Sequence, residues 1–177
     1  MIKVEIVKCL KDNFSYIVHN NNEALVIDPS ESGPLIKSLE KLNLKLKYIL
    51  NTHHHFDHID GNLTLKEKYK CKIIGFIDDK KRIPGIDICL KNEEIFKEGD
   101  FQFKTYHTPG HTSGHICYHF FNDKILFTGD TLFSLSCGRL FEGTYEDMFR
   151  SLSLIKTFDK ETLISVSYTH LRAHETS

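Results

Sequence analysis

The sequence predicts an α/β fold in which strands grouped in meanders form sheets that pack together and are covered by helices. The length of 177 residues is that of one domain. Hydrophobic residues make up 40% of the chain and charged residues 27%, which is typical of a globular protein. Short β-branched and aromatic runs alternate with a few stretches of helical spacing, and this alternation gives the α/β class.

Strands are predicted wherever a short apolar run lies between polar turn residues. These runs are residues 4–8, 14–19, 24–28, 47–50, 72–76, 101–106, 115–121 and 124–127, with a last strand beginning at 162–164. Helical spacing of apolar residues predicts helices from Pro34 through Leu42 and over 145–158, and a further helix is predicted over 61–69. Pro34 falls in the first turn of its helix, where the missing N–H costs nothing. Residues 78–87 are predicted to form a polar loop.

Composition and charge exclude several classes of partner. Lys and Arg number 23 and Asp and Glu 24, so the net charge of −1 gives no attraction to nucleic acid or to an anionic membrane. No apolar run approaches the ~20 residues of a membrane helix, and the charged start of the chain is unlike a secretory signal. The five cysteines are odd in number and scattered, which indicates reduced thiols. We therefore expect a cytoplasmic protein, and a monomer.

The last twelve residues differ in character from the rest of the chain. Residues 166–177 closely resemble the translation of a transposon-end adapter used in preparing sequencing libraries. The sequence therefore predicts a catalytic domain over residues 1–165 and an artefactual tail over 166–177. His170 and His174 stand four residues apart like a helical metal pair, and we assign them to the tail rather than to a site.

A histidine-rich motif directly follows the predicted strand at 47–50. It runs from Thr52 to His58 and has the pattern His-x-His-x-Asp-His. In an extended chain, successive side chains alternate, so His53 and His55 project together while His54 points the other way. Asp57 and His58 follow where the chain turns toward a helix. Imidazole and carboxylate together form a ligand set suited to zinc, iron or manganese.

Two further motifs supply the same chemistry. His111 lies in a tight turn that Pro109 and Gly110 form, and such a turn can hold one ligand rigidly. Asp130 ends an apolar strand, and its two oxygens allow it to bridge two cations. Among the other histidines, we expect His115 to support its loop by hydrogen bonding and His19 to be exposed at a turn, and we give no catalytic role to His107 or His119.

Together these motifs resemble the metallo-β-lactamase superfamily. The His-x-His-x-Asp-His, Gly110-His111-Thr112 and Gly129-Asp130-Thr131 segments occur in its order. Within the superfamily, residues 126–133 and 137–144, together with the segment 12–16 near the N-terminus, resemble the glyoxalase II, or hydroxyacylglutathione hydrolase, family. The resemblance covers the chain up to about residue 164 and implies an αββα sandwich of the metallo-β-lactamase type, incomplete at the C-terminus.

The resemblance also implies a role for each matched residue. His53, His55 and His111 would hold one divalent metal ion, Asp57 and His58 a second, and Asp130 would bridge the two. We expect two zinc ions, with iron or manganese as alternatives. Asp57 and Asp130 would be the catalytic carboxylates. Arg139 and Phe141 fall where the family contacts glutathione; the alternative for Arg139 is a solvated loop residue.

The chain departs from the family pattern after residue 164. The family places one more histidine of the second metal there, followed by a helical domain with basic contacts to glutathione. This sequence changes there to the adapter-like tail. We therefore expect the chain as written to bind the first metal better than the second and to be slow or inactive.

The implied activity is hydrolysis of S-2-hydroxyacylglutathione thioesters, converting S-lactoylglutathione to lactate and glutathione in methylglyoxal detoxification. A metal pair roughly 3.5–4 Å apart supplies hydroxide at neutral pH and an electrophile for the thioester carbonyl. The alternatives within the fold are an iron-dependent persulfide dioxygenase and, less well matched, a lactonase or β-lactam hydrolase. The alternative that is not an enzyme is an inactive metal-binding fragment.

Overall fold

Two β-sheets stack face to face in the computed structural model, which describes residues 2–167. The first sheet has six strands in the order β1-β2-β3-β4-β5-β6, antiparallel from β1 to β3 and parallel from β3 to β6. Its strands are β1 (Lys3–Cys9), β2 (Asn13–Asn20), β3 (Glu23–Ile27), β4 (Lys45–Leu50), β5 (Lys72–Phe76) and β6 (Ile88–Leu90).

The second sheet has five strands in the order β11-β10-β9-β8-β7. All pairs are antiparallel except β10 with β11. Its strands are β7 (Ile95–Glu98), β8 (Phe101–His107), β9 (Ile116–Phe120), β10 (Ile125–Gly129) and β11 (Leu163–Val166). The helices are α1 (Ser32–Lys41), α2 (Phe56–Ile59), α3 (Asn62–Tyr69) and α4 (Tyr145–Ile155), and a 3-10 turn covers Ile77–Asp79.

The main hydrophobic core lies between the two sheets. Alternate side chains of the first sheet, such as Val18 and Leu50, pack in one cluster with Phe103, Tyr118 and Phe127 of the second. Tyr118 is fully buried and its hydroxyl donates to the carbonyl oxygen of Asn51 at 2.7 Å. Because that carbonyl lies at the end of β4, the core contact fixes the place where the histidine motif begins.

The outer faces of both sheets are covered by helices. Ile17 and Ile49 of the first sheet pack with Leu35 and Leu39 of α1 and Leu65 of α3. On the second sheet, a smaller cluster joins Cys117 and Leu126 to Ile155 of α4. Strands buried on both faces read as continuous apolar runs, which is why the central strands were recognisable in the sequence. The layers are therefore helix, sheet, sheet and helix, and the predicted αββα sandwich is confirmed.

Some elements differ from the sequence prediction. The short strands β6 and β7, the one-turn helix α2 and the 3-10 turn were not predicted. His19 is not exposed at a turn, so that prediction was wrong: β2 continues to Asn20, and His19 is buried, with Nε2 3.5 Å from Glu5 Oε1 on β1.

The predicted domain boundary at residue 166 falls close to the end of the described chain. Val166 is the last residue of β11, and its carbonyl accepts a hydrogen bond of 2.7 Å from the Tyr16 hydroxyl. Residues 168–177, with His170 and His174, lie outside the described residues, so the assignment of residues 166–177 to a tail stays a prediction. Among residues 2–167, no helix is long and apolar enough to cross a membrane.

Candidate metal centre

Five of the six predicted metal ligands lie in two compact groups at one edge of the stacked sheets. His53 and His55 follow β4, and His58 lies in α2 directly after them. His111 lies between β8 and β9, and Asp130 follows β10 immediately. Ligands from the loops of both sheets therefore meet at this edge, although 77 positions separate His53 from Asp130.

The first group consists of His53, His55 and His111. His55 Nδ1 lies 3.1 Å from His53 Nε2 and 2.9 Å from His111 Nε2. A tetrahedral ion with metal–nitrogen bonds of 2.0–2.1 Å separates its ligand atoms by about 3.3 Å. The three nitrogens are thus spaced nearly as one such ion requires.

The second group consists of His53, His58 and Asp130. Asp130 Oδ1 lies 3.2 Å from His58 Nε2, and Asp130 Oδ2 lies 3.3 Å from His111 Nε2 in the first group. The two oxygens of one carboxylate therefore face different groups. This is the arrangement that a bridging ligand needs.

Asp57 is the predicted ligand outside these two compact groups. Its Oδ2 lies 3.7 Å from His58 Nε2, and the amide of Asn13 donates to the same oxygen at 3.2 Å. Asp57 also lines the cavity beside the histidines. The structure thus places it next to the second group, with Asn13 orienting its carboxylate.

Outer partners determine which nitrogen of each ring faces the centre. His111 Nδ1 donates to the carbonyl of Arg139 at 2.7 Å, and His58 Nδ1 donates to Asp28 Oδ2 at 3.0 Å. The Thr52 hydroxyl donates to the same Asp28 oxygen, so it accepts from His53 Nδ1 at 3.0 Å. With the proton on Nδ1, the Nε2 lone pairs of His53 and His111 point inward, and Nε2 of His58 faces the same centre. Metal-ligating histidines are oriented in this way.

The carboxylate of Asp130 is positioned through its own backbone. Its N–H donates to Nε2 of His115, which is fully buried and whose Nδ1 lies 3.1 Å from the hydroxyl of Thr131. The Thr108 hydroxyl also lies 3.1 Å from His115 Nδ1, so the expected role of His115 in supporting its own loop is confirmed. Gly129, with φ of 49°, allows the close approach, since a Cβ there would lie 2.5 Å from Thr52 Oγ1.

Burial and charge shift the pKa values of His53, His55, His111 and Asp130 in the directions that a cation site needs. Burial lowers the pKa of His53, His55 and His111, which keeps their rings neutral. Burial acts against the charge of Asp130 too, but His58 and His111 lower the pKa of that carboxyl. His58 is the exception: burial opposes its charge, yet the carboxylates of Asp130 and Asp28 raise its pKa well above the usual value.

The residues present fit a divalent cation. Neutral imidazoles direct lone pairs at one another across about 3 Å, beside a carboxylate whose pKa is lowered. Lone pairs that face each other repel, and within this cluster His58 is the member that carries a positive charge to offset them. A cation between the rings would offset this repulsion and pair with the carboxylate. Nitrogen and oxygen donors of this kind suit zinc, iron and manganese.

A cavity of about 420 Å³ opens beside both groups. Both predicted substrate residues line it together with Asp57, His55 and His111. Phe141 is 60% exposed, and its ring lies 5.4 Å from that of His55. Arg139 lies 5.9 Å from the Phe141 ring, measured from the guanidinium carbon to the ring centroid. The structure thus brings the predicted substrate residues to the predicted metal centre.

Sequence reasoning missed most of the outer partners. Asp28 is buried at the end of β3 and binds three donors, yet no motif distinguished it. A carboxylate that ends a buried strand next to the motif strand was the available signal. His54, by contrast, points away from the centre as predicted, with Nδ1 3.4 Å from Asp79 and Nε2 3.4 Å from Glu142.

Comparisons with known proteins agree with this geometry. The family model of the metallo-beta-lactamase superfamily matches residues 11–167. A hydroxyacylglutathione hydrolase of Pelagibacter ubique is 51% identical over 97% of this chain and 72% of its own length. One from Methylococcus capsulatus is 40% identical over 98% of this chain and 69% of its own.

A solved structure shows the same architecture. The crystal structure of BLEG-1 B3 metallo-beta-lactamase superposes with a TM-score of 0.87 at 26% identity, covering 94% of this chain and 91% of that one. The chain therefore belongs to the metallo-beta-lactamase superfamily and, within it, to the hydroxyacylglutathione hydrolase family.

Proposed function

We propose that this chain carries the catalytic centre for hydrolysis of S-2-hydroxyacylglutathione thioesters, such as S-lactoylglutathione to lactate and glutathione. The observation that supports it most directly is the pair of oxygens on Asp130, one facing His58 and one facing His111. They stand beside a cavity that Arg139 and Phe141 line. The names of the relatives supply the substrate class. The pathway served would be methylglyoxal detoxification.

We assign the metal ligands from the two compact groups of the candidate centre, together with Asp57. His53, His55 and His111 would hold the first metal, Asp57 and His58 the second, and Asp130 both. When bound, such a pair supplies hydroxide near neutral pH and an electrophile for a carbonyl oxygen. The first set offers three imidazoles and a tetrahedral spacing, which favours zinc, with iron and manganese as alternatives.

Side chains of this chain would orient the attacking water and bind glutathione. The carboxylate of Asp57, held by Asn13 at the cavity, would orient the attacking water. The Arg139 guanidinium would pair with a carboxylate of glutathione, and the Phe141 ring would pack against the peptide. Glutathione would leave as a thiolate, which is a weak enough base to depart without being protonated.

The setting proposed for this activity is the cytoplasm. Cys9, Cys71, Cys89, Cys117 and Cys137 are all free thiols, as expected in a reducing compartment. We retain the monomeric state as a proposal, together with a catalytic domain over residues 1–165.

A thiol-release assay on the zinc-loaded chain tests the proposed function. The second ligand set offers one imidazole, from His58, among residues 2–167, so we expect slow turnover that rises with added zinc. One free thiol should appear per thioester consumed, without oxygen uptake, and His55→Ala should abolish the signal. Oxygen uptake would instead favour the persulfide dioxygenase. No thiol release from a chain shown to hold two metals would refute the proposal and leave an inactive metal-binding protein.

A further inference from the structure

The segment that carries both substrate residues has little regular structure of its own. We call residues 137–144, between β10 and α4, the cavity loop. Three backbone hydrogen bonds join it to the metal centre: Gly138 N donates to the carbonyl of Asp130 at 2.9 Å, Phe141 N to that of His111 at 3.1 Å, and Gly143 N to that of Gly110 at 3.1 Å. His111 Nδ1 adds a fourth bond, to the carbonyl of Arg139 at 2.7 Å, and the side chains of the loop add contacts of their own.

Glu142 is the side chain of the cavity loop with the most polar contacts. Its Oε2 accepts from both the N–H and the hydroxyl of Ser113, each at 2.8 Å. Arg82 Nη1 donates to both of its carboxylate oxygens, at 2.9 and 2.8 Å. Although burial disfavours the charged form, the bonds from Ser113 and Arg82 lower the pKa of Glu142 to about 2. Glu142 thus ties the loop to the turn that holds His111.

Arg82 is itself held in place by Asp79, on the side away from Glu142. Its Nε donates at 2.9 Å to Oδ1 of Asp79, which is fully buried, and Nη2 contacts the same oxygen. Nη2 also donates to the Ser113 hydroxyl at 3.0 Å. Because Nε and Nη2 are already bound to Asp79 and Ser113, Arg82 loses little further side-chain entropy when Nη1 pairs with Glu142. We therefore expect this pair to contribute more than an ordinary surface ion pair. Asp79, Arg82, Ser113 and Glu142 therefore form one network, which we call the loop clamp.

We propose that Glu142, held by Arg82, is a positioning residue that fixes the cavity loop against the His111 turn and so sets Arg139 and Phe141 for a glutathione thioester. The loop-fixing role stands on the contacts alone, whereas the thioester part rests on the proposed function. Neither Glu142 nor Arg82 is among the residues lining the cavity. Their effect on binding would therefore be indirect, through the loop. Glu142 Oε1 also lies 3.4 Å from Nε2 of His54, between the ligands His53 and His55, so zinc affinity must stay unchanged in both variants if the loop is the route.

Amide hydrogen exchange tests the clamp without any ligand. In Glu142→Ala and in Arg82→Met, exchange at the amides of Gly138, Phe141 and Gly143 should quicken about 10-fold, as expected for losing charge-assisted hydrogen bonds. Exchange in the core strand β9 should stay unchanged. Unaltered loop exchange in both variants would overturn the proposal, and so would an equal rise throughout the chain, which would mean global destabilisation.

Calorimetric titration of the zinc-loaded chain with glutathione tests the second part. Both variants should bind glutathione about 10-fold more weakly, with KM for the thioester raised by the same factor and kcat changed less than twofold. Glu142→Gln keeps an acceptor for Ser113 and should recover part of the affinity. Glu161→Ala, which removes an exposed partner of Lys124, is the matched control and should change neither binding nor exchange.

The two experiments separate the possible failures. If the unaltered chain binds no glutathione, the thioester part of this inference is refuted together with the proposed substrate. The exchange result then still decides whether the clamp fixes the loop. If glutathione binds the unaltered chain and both variants equally well, the positioning role is wrong although the proposed function stands.

Discussion

At the scale of single residues, the geometry of the candidate metal centre depends on groups outside the predicted ligand set. Asp28 accepts from the N–H and hydroxyl of Thr52, both at 2.7 Å, and from His58 Nδ1. Its backbone adopts the left-handed region, with φ of 48°, a conformation that Asp tolerates better than most residues. One buried carboxylate therefore orients His58 directly and His53 through the Thr52 hydroxyl.

Replacing Asp28 with Asn should weaken metal binding without removing a ligand. An amide has one acceptor oxygen, so its NH₂ group would oppose the N–H donors of Thr52 or His58. We expect zinc affinity to fall 10–100-fold, as is typical when an outer partner is lost. Competition with a chelating dye measures it. Asp100→Asn is a control that changes an exposed carboxylate directly before β8, at the end of that strand opposite the His111 turn. Equal affinity in both variants would show that Asp28 does not orient the rings.

The histidine motif contains its own matched pair for a ligand test. His55 Nδ1 lies about 3 Å from two other ring nitrogens, whereas His54 contacts Asp79 and Glu142. His55→Ala should lower zinc affinity roughly 100-fold, since a four-ligand zinc site is worth about 10–16 kcal/mol in all. His54→Ala should change it less than threefold. Chelator competition on both variants decides, and a similar loss in each would contradict the ligand assignment.

At the scale of elements, α4 begins with a reciprocal cap directly after the cavity loop. The Thr144 hydroxyl accepts from Asp147 N at 3.1 Å, and the Asp147 carboxylate accepts from Thr144 N at 2.9 Å. These bonds satisfy donors that a helix start otherwise leaves unpaired. The cap therefore fixes both the first turn of α4 and the point where the cavity loop ends.

Thr144→Ala should lower the free energy of unfolding by about 1 kcal/mol, the usual cost of losing such a cap. Urea denaturation measures the change, which should appear in the midpoint with an unchanged slope. Thr157→Ala removes an exposed hydroxyl that donates to the nearby Leu154 carbonyl, and should cost less than about 0.5 kcal/mol. Equal costs for the two variants would mean that the cap contributes nothing specific.

The elements that the sequence predicted are those with long, periodic apolar patterns. The central strands and the helices α1 and α4 met this condition, because burial on one or both faces imposes such a pattern. Helix α3 was predicted although its apolar residues follow no helical period. β6 has three residues and β7 is a mostly exposed edge strand, so neither carries a sufficient signal. His19 was misplaced because β2 ends one residue later than predicted, and Glu5 across the strand pair gives the imidazole a partner.

The residues of the candidate site likewise divide into those that a local sequence motif predicts and those that it does not. His53, His55 and His111 stand in motifs whose order along the chain predicted their meeting. Asp28 and Arg82 act through contacts between segments distant in sequence, which no local pattern records. Local motifs therefore predict which residues are candidate ligands. The residues that orient those ligands come from distant segments, and their positions depend on the tertiary structure.

At the scale of the whole molecule, the candidate metal centre lies where loops of the two sheets meet. His53, His55 and His58 follow β4 of the first sheet, whereas His111 and Asp130 lie in loops of the second. A bound ion would therefore cross-link two layers that otherwise meet through the apolar core. Because the unfolded chain cannot hold these ligands together, the binding free energy adds to the stability of the folded state.

Zinc should accordingly raise the thermal transition of the chain. At a free concentration 100 times the dissociation constant, one site adds about 2.7 kcal/mol to the free energy of unfolding. For a chain of this size each kcal/mol is worth about 2–4 °C, so the midpoint should rise by roughly 5–11 °C in calorimetry. The same zinc added to a chain carrying both His55→Ala and His111→Ala should have little effect, because two of the three imidazoles of the first group are gone. An equal rise in both chains would place the stabilising zinc elsewhere, and the joining of the two sheets by this centre would then be wrong.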